Sequence, residues 1–444
     1  MMDQYAIQIK TKINGKEEIL IIEEREVKKV ESILDLGLRH KEQIEILRKL
    51  QDEILKLQSV QLAEKIDRCP KCNGEMGKKG YNQSNFHSVF TDHKVKVQRQ
   101  ICKKCGWKSI PSVKSLLGTS SHPDLIKLQC EIGAEHSYRD AQDILNKKAS
   151  VKRKINNHEQ VHNVIEKVGE YISKASENEI IVGSSIAKEI IAQIDGGHIK
   201  DKDPNQRSFE AMTAIMYRPE NIIKKGNKNI IVSKNCIASA LLDDQEYIKK
   251  AALLAAKEQG LSKETTITAL CDGAANCWSI AKSLQDHCGT FIGILDWFHV
   301  AMKFQNIALP KTQKIKLDKV KWCLWHGNVD KSVEKLDQLI AKIKNSSRLL
   351  KLHKLKTNIE NNRNYIVNYD DRKRHDMAFT SHMAESTVES LINQRCKGQQ
   401  HMRWTRLGVH KLLQIRAYIA SNNWVTGWLD KIMGAFSNPF PVTI

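Results

Sequence analysis

Apolar and polar residues alternate along YAIQIKTKI and EEILIIEERE, and Asn14-Gly15 lies between them. Period-two alternation around a two-residue Asn-Gly turn predicts a β-hairpin over 5–26. From 28 to 66 the apolar spacing becomes helical and densely charged, which predicts a long amphipathic helix or helix pair. Such a helix could pair with a second copy or pack on its own domain. SNFHSVFTDHKVKVQRQ alternates again like strands, and from about 120 to 180 the period returns to helical. There SYRDAQDILNKK, a short break and SVKRKINNHEQVHNVIEKVGEYI suggest a helix-turn-helix. Its second helix would carry Lys152, Arg153, Lys154, Asn156, Asn157 and His158 early, where such a helix reaches base edges. From 188 the pattern turns to strands: EIIAQIDGGHIK, RSFEAMTAIMYRP and NIIVSKNCIASALL. A helix, the strand TTITALCD, a second helix and the strand TFIGILD follow. This β-β-β-α-β-α-β order predicts an α/β sheet whose first three strands form a meander. Residues 298–375 and 383–420 read as helical.

Charge sharpens this outline. Lys+Arg is 71 against Asp+Glu 51, a net charge of +20. An excess of that size favours a polyanionic partner, because neutralising phosphates releases counterions. The 41% apolar content excludes wholesale disorder. No apolar run approaches the ~18 residues of a membrane span, and the N-terminus lacks the apolar stretch of a secretory signal. A cytoplasmic, nucleoid-associated protein is expected. Seven of the 11 cysteines are scattered singly, the pattern of buried thiols rather than of a disulfide framework.

The other four cysteines form two pairs, Cys69-Pro-Lys-Cys72 and Cys102-Lys-Lys-Cys105. Each Cys-x-x-Cys turn offers two thiolates, and two such turns complete a tetrahedral site for one structural Zn²⁺. The strand-like stretch between them predicts a zinc ribbon with a full hairpin in its middle. His87 and His93 lie in that stretch, but four thiolates need no histidine.

Two aspartates stand out. Asp195 ends the apolar run EIIAQID before Gly196-Gly197, and Asp272 ends TTITALC before Gly273. Carboxylates at the ends of neighbouring strands can converge on a divalent cation. A third acid is offered by MAESTVESLINQRCKG, where Glu385 and Glu389 lie four apart on one helical face, so periodicity does not choose between them. Lys303, Lys311, Lys314, Lys316, Lys319 and Lys321 in the following helical region would line a DNA channel or form a solvated face.

The stretches IDGGHIK, LCDGAANCW, LDWFH, LWHGNV and TVESLINQRCKGQQHMRW resemble bacterial insertion-sequence transposases of the DDE type, of the ISKra-like group related to Mutator transposases. The resemblance covers roughly 66–420. It implies an RNase H-like catalytic core in which Asp195, Asp272 and Glu389 bind two Mg²⁺, with Glu385 as the fallback. Asp296-Trp297-Phe298-His299 is similar to the family's D-x-x-H signature, so His299 would shape the active site or contact DNA. The chain departs from the family at SHMAESTVES, where relatives carry a glycine-rich segment. Arg395, Lys397 and Arg403 would hold phosphates of the cut strand, and Trp404 would stack on an unpaired base or serve as a core aromatic.

The expected organisation is an N-terminal hairpin and amphipathic helix at 1–65 and a zinc ribbon at 66–115. A helical, helix-turn-helix-like DNA-binding region at 116–183 follows. The catalytic α/β domain then spans 184–430, with a helical insertion at about 300–380. The expected partners are double-stranded DNA, both transposon ends and target, and a second copy of the chain in a homodimer or larger assembly. The alternative is a catalytically inactive, transposase-derived DNA-binding protein.

Overall fold

The computed structural model describes residues 3–13, 16–65, 68–176, 185–226, 228–381, 389–397 and 402–437. The chain divides into two compact units, Met1–Val168 with Trp428–Ile444, and Gly169–Gly427.

In the first unit, β1 (Gln4–Ile13) and β2 (Lys16–Glu26) pair antiparallel. The Asn14-Gly15 turn lies outside the described residues. The predicted helix of 28–66 begins only at His40, as α1 (His40–Ser59). Gly37 just before it has φ +75°, a left-handed conformation that does not continue a helix. β3 (Met76–His87) and β4 (Asp92–Cys102) form an antiparallel hairpin, extended by the short β5 (Lys108–Ser109). Val95 and Val97 on the inner face of β4 pack with Val113 of α2 (Val113–Leu117), and Leu55 of α1 borders that cluster. α3 (Pro123–Glu135) and α4 (Tyr138–Ala149) bury Ile132, Ala141 and Leu145 against Val161 of α5 (His158–Ser176). The C-terminal helix Trp428–Phe436 returns to this unit, where Lys127 of α3 lies 4.9 Å over the Trp428 ring.

One expectation about the helix-turn-helix is corrected here. Lys152, Arg153, Lys154, Asn156 and Asn157 precede α5 and form a loop with a single 3₁₀ turn, Lys154–Asn156. Arg153 does not reach outward: its side chain is 1% exposed. Its guanidinium donates to Asp92 Oδ1 at 2.6 Å and to the carbonyls of Val89, Ser88 and Thr91 at 2.8, 3.0 and 2.8 Å. Five donors in a planar fork satisfy three loop carbonyls and a carboxylate at once, which a lysine cannot do. Burial alone would raise the Asp92 carboxyl, but His87 and Arg153 hold it well below the usual carboxylate range. Lys152, Lys154 and Asn157 remain exposed. Arg153→Ala strands those acceptors, so the first unit is expected to lose about 2–4 kcal/mol, read by urea denaturation. A loss within about 0.5 kcal/mol would show that the guanidinium is not part of the fold.

The second unit is built on a five-stranded sheet of order β10-β7-β6-β11-β12. β6 (Glu189–Lys200), β7 (Ser208–Tyr217) and β10 (Asn235–Ser239) make the antiparallel meander. The third predicted run divides, because β8 (Ile222–Lys225) and β9 (Lys228–Ile231) form a separate small hairpin before β10. β11 (Thr266–Cys271) lies parallel to β6, and β12 (Thr290–Leu295) parallel to β11. α6 (Glu246–Glu258) and α7 (Ala275–Lys282) supply the crossovers. They bury Ala252, Ala256, Cys277 and Ile280 against Ile190, Ala192, Ile194, Met212, Ala214 and Ala269. Alternate residues of each strand therefore face these helices, and the intervening ones face the opposite side.

Past β12 the chain is helical. α8 (Trp297–Gln305), α9 (Lys311–Trp325), α10 (Val329–Ile340) and α11 (Ser346–Asn361) share one core of leucine, isoleucine and valine with Phe304, and the short α12 (Tyr369–Arg374) follows. A π-helix, Glu389–Lys397, and α13 (Arg406–Ala420) complete the unit. No helix among the described residues is long and apolar enough to cross a membrane. Of the seven single cysteines, Cys130, Cys236, Cys271, Cys277, Cys288 and Cys396 are buried and Cys323 is half-buried.

His410 of α13 is 2% exposed. Its Nε2 lies 2.9 Å from Ser173 Oγ, and its ring meets Tyr247 edge-on at 4.7 Å. Burial lowers its pKa to about 4, with Lys411 adding to the effect and Asp243 opposing it. The folded chain thus binds this proton less readily than the unfolded one, whose histidines titrate near ~6.5. The stabilisation is present above that pH and is lost as pH falls towards about 4. Linkage gives a loss of order ~3 kcal/mol across that window. Denaturation at neutral and mildly acidic pH should show it, and His410→Gln should flatten the slope; an unchanged slope assigns the acid sensitivity to other groups.

Candidate active site and metal centre

The first candidate is the cysteine cluster of the first unit. The Sγ atoms of Cys69, Cys72, Cys102 and Cys105 all lie within 4.8 Å of one another. Cys69 and Cys105 are 3.6 Å apart, and Cys72 and Cys102 are 3.5 Å apart. Four thiolates at ~2.3 Å from a tetrahedral zinc sit about 3.8 Å from each other, so the donor set fits that ion. The turns that aim them are tight. Asn73 N–H donates to Cys69 O at 2.8 Å and Gly106 N–H to Cys102 O at 3.1 Å. Asn73 and Gly106 have φ of +54° and +72°. Gly74 is required by proximity: a Cβ there would lie 3.1 Å from Cys102 Sγ and 3.2 Å from Cys72 Sγ. The Cys102 thiol is lowered to about 6, chiefly by the backbone N–H groups of Cys105 and Lys104. The Cys72 thiol is pushed up to about 12: the Gly74 N–H favours its thiolate, but the other three sulfurs outweigh it. These four cysteines could bind a zinc ion.

The second candidate is acidic and belongs to the second unit. Ile194 pairs with Cys271, and Cys271 with Leu295. The next residue on each of these parallel strands is an aspartate, so Asp195, Asp272 and Asp296 form one row. β11 and β12 stop there, but β6 does not. The expectation that Asp195 ends its strand before a glycine turn is corrected: β6 runs on to Lys200, paired with β7 throughout. Its glycines serve close approach instead. A Cβ at Gly196 would meet Glu210 Oε1 at 2.6 Å, and one at Gly197 would meet Ile392 at 3.1 Å. Gly273, after Asp272, does turn the chain, with φ +94°.

Asp195 points to the face away from α6 and α7. Its Oδ1 accepts from Gly196 N–H at 2.7 Å, and its Oδ2 lies 3.8 Å from His299 Nε2. The same His299 nitrogen is 3.5 Å from Asp296 Oδ2. Asp296 is 1% exposed and fully engaged: Oδ1 accepts from Phe298 N–H at 3.1 Å and Ser381 N–H at 2.9 Å, and Oδ2 accepts from Ser381 Oγ. Asp272 Oδ1 accepts from Ala274 N–H at 2.8 Å, and Lys303 Nζ donates to Asp272 O at 3.1 Å. Burial raises the Asp195 carboxyl, and the charges of Asp272 and Asp296 raise it further, against His299 and the Gly196 N–H. Burial lowers the Lys303 ammonium despite both aspartates. The space lined by this row is about 20 Å³, room for one water or one small ion; a second ion would sit outside it.

Glu385 lies outside the described residues, as does the side chain of Glu389. The helix that begins at Glu389 rests on β6, with Ile392 over Gly197. Among the described residues only the four cysteines bring three or more His, Cys, Asp or Glu ligand atoms within 4.8 Å of one another. Sequence reasoning offered Lys303 only as a channel-lining or solvated lysine, not as a neighbour of the acidic row, and missed Ser381. Lys303 carried a signal: it follows His299 by four residues and so shares its helix face. Ser381 carried none, because its contact with Asp296 spans 85 residues of chain.

The residues expected to touch DNA divide. Lys397 and Arg403 are exposed. Arg395 is 1% exposed, its guanidinium stacked 4.8 Å from the Trp404 ring and its Nη1 3.3 Å from Met402 Sδ. Trp404 is 9% exposed; its backbone N–H donates to Lys200 O at 3.0 Å and its backbone carbonyl accepts from Lys202 N–H at 2.8 Å. The phosphate role of Arg395 and the stacking role of Trp404 are therefore corrected. The two form a cation–π pair that ties the end of β6 to the chain before α13, the core-aromatic alternative. In the helical region Lys311, Lys316 and Lys319 are exposed, while Lys314 pairs with Asp318 at 3.5 Å and Lys321 lies over the Trp297 ring at 5.7 Å.

No protein-family model matches the chain, and no curated protein matches it. Among solved structures it is similar to the Drosophila P element transposase in its strand transfer complex, at 9% identity and a TM-score of 0.32, over 74% of this chain and 95% of that one. At that degree of superposition the two folds differ too much for one to stand for the other.

Proposed function

We propose that this chain is a DDE-type transposase with an RNase H-like core, which binds the ends of its insertion sequence and cuts and joins DNA strands. The observation that carries the reading is the row of Asp195 and Asp272, side by side where the parallel strand β11 stops and β6 continues. Three of the quoted motifs that resemble the ISKra-like group, IDGGHIK, LCDGAANCW and LDWFH, start on or at the ends of β6, β11 and β12 of this sheet, and a basic chain suits a DNA substrate.

The donor set fits Mg²⁺. Asp195 and Asp272 offer hard oxygens, and burial, with the charges of Asp272 and Asp296 adding to it, raises the Asp195 carboxyl despite His299. Asp195, Asp272 and Glu389 would hold two such ions, which when bound supply Lewis acidity and an activated water for attack at phosphorus. The protein's own groups do the positioning. Asp296, locked by Ser381 and Phe298, keeps His299 turned towards Asp195. Lys303 ties down the Asp272 backbone and places a cation beside the row. Exposed Lys397 and Arg403 are offered to strand phosphates, and Lys152, Lys154 and Asn157 to the transposon end. A zinc ribbon and the helical region beside it would grip the ends, a homodimer or larger assembly would bring two ends together, and the nucleoid would be the place of work.

The test is direct. The purified chain is incubated with Mg²⁺ and a plasmid carrying the inverted repeats that flank its reading frame. New 3′-OH ends at the repeat boundary support the reading. Specific binding of the repeats without cleavage would instead select the catalytically inactive DNA-binding alternative.

A further inference from the structure

We propose that a cleft in the first unit, remote in sequence from the acidic row, binds a phosphate group. It lies between the turn that follows α2, the outer face of α5 and the C-terminal helix, is open to solvent, and measures about 330 Å³. Lys114 and Lys167 stand on its walls, and Lys167 Nζ lies 4.2 Å from the centroid of the Phe436 ring. Among the described residues no acid lines the cleft, and neither lysine forms an ion pair. Ser120, Gln160 and Asn163 add hydroxyl and amide donors, whose side chains make no hydrogen bond to a described residue.

Other surface lysines, such as Lys174, Lys250 and Lys356, are paired with carboxylates four residues away or across a helix contact. In the cleft two cations face one space with no described carboxylate to balance them, and Lys167 is lowered by burial and then by Lys114. Like charges held together are destabilising until an anion enters between them. The donors suit phosphate rather than carboxylate. Two point-charge ammoniums with hydroxyl and amide groups at several heights surround a tetrahedral anion, whereas a carboxylate is best met by the planar fork of an arginine, and none lines the cleft. Two sources share this chemistry, a DNA backbone and a free phosphate. The DNA arm rests on the proposed function, and the free-phosphate arm does not.

The experiment uses the full chain. A labelled DNA duplex is titrated at several salt concentrations with the wild type, with Lys114→Ala/Lys167→Ala and with Lys114→Arg/Lys167→Arg. Pyrophosphate is titrated in parallel by thermal shift. If the cleft holds a DNA phosphate, the alanine pair makes the slope of log K against log salt shallower by about two, and the arginine pair restores it. If the wild type ignores DNA but is stabilised by pyrophosphate, and the alanine pair is not, the cleft serves a free phosphate and the transposase reading fails alone. If the wild type binds DNA and the alanine pair leaves the slope unchanged, the cleft proposal is overturned while the transposase reading stands. No response to either ligand overturns the cleft as well. Both lysines are exposed, so the variants are expected to fold.

Discussion

Asp272→Asn should abolish Mg²⁺-dependent strand cleavage while leaving the affinity for the transposon ends within about twofold of wild type. The substitution is nearly isosteric and keeps an oxygen that can accept from Ala274 N–H at 2.8 Å, so the turn after β11 should persist. What it removes is a negative charge and a hard donor. Losing one carboxylate from a two-ion site forfeits several kcal/mol of transition-state stabilisation, a fall of about a thousandfold or more. Asp195→Asn should behave alike, because the two stand in one row. Glu389→Gln and Glu385→Gln then decide the third acid: the variant that retains cleavage is not the ligand. Asp296→Asn should cost less, since Asp296 acts through His299, and its defect should resemble that of His299→Ala. Cleavage retained by Asp272→Asn at more than a tenth of the wild-type rate would end the two-ion assignment.

Chelation of zinc should unfold the β3–β5 hairpin module cooperatively and take most of the end binding with it. The module's own apolar cluster is small, Val95, Val97 and Val113 with a few partly buried neighbours. For zinc-finger peptides the ion contributes roughly 10–16 kcal/mol at neutral pH, more than such a cluster can replace. Cys102→Ser should have the same effect, because Cys102 sits at the centre of the second turn and accepts from Cys105 N–H at 3.4 Å. Metal analysis of the purified chain is expected to find one zinc per chain, and circular dichroism before and after chelation reads the unfolding. An unchanged spectrum with zinc removed would make the cysteines ordinary thiols.

Acid sensitivity and buried charge bear on how such variants are handled. With His410 losing stabilising influence below about neutral pH, and Arg153 anchoring the loop before α5, assays belong near neutral pH. Variants at either position are expected to lose DNA binding through folding, and their stability has to be measured before any loss is read as recognition.

Much of this protein is written locally. The spacing of the cysteine pairs dictates two turns that each present two thiolates, because two intervening residues admit few conformations. Alternation along EIIAQID and TTITALC dictates strands, and an aspartate following each apolar run is visible to any reader of the chain. The register that sets Asp272 between Asp195 and Asp296 was not visible, since it depends on pairings between residues dozens of positions apart. The same holds for charge. Arg153 and Arg395 sit in basic, DNA-like stretches, yet one closes around loop carbonyls and the other stacks on Trp404. Sequence specifies what each side chain can offer. Whether a guanidinium meets phosphate or protein is decided by which acceptors the folded chain leaves unsatisfied next to it, and that is a property of tertiary packing alone.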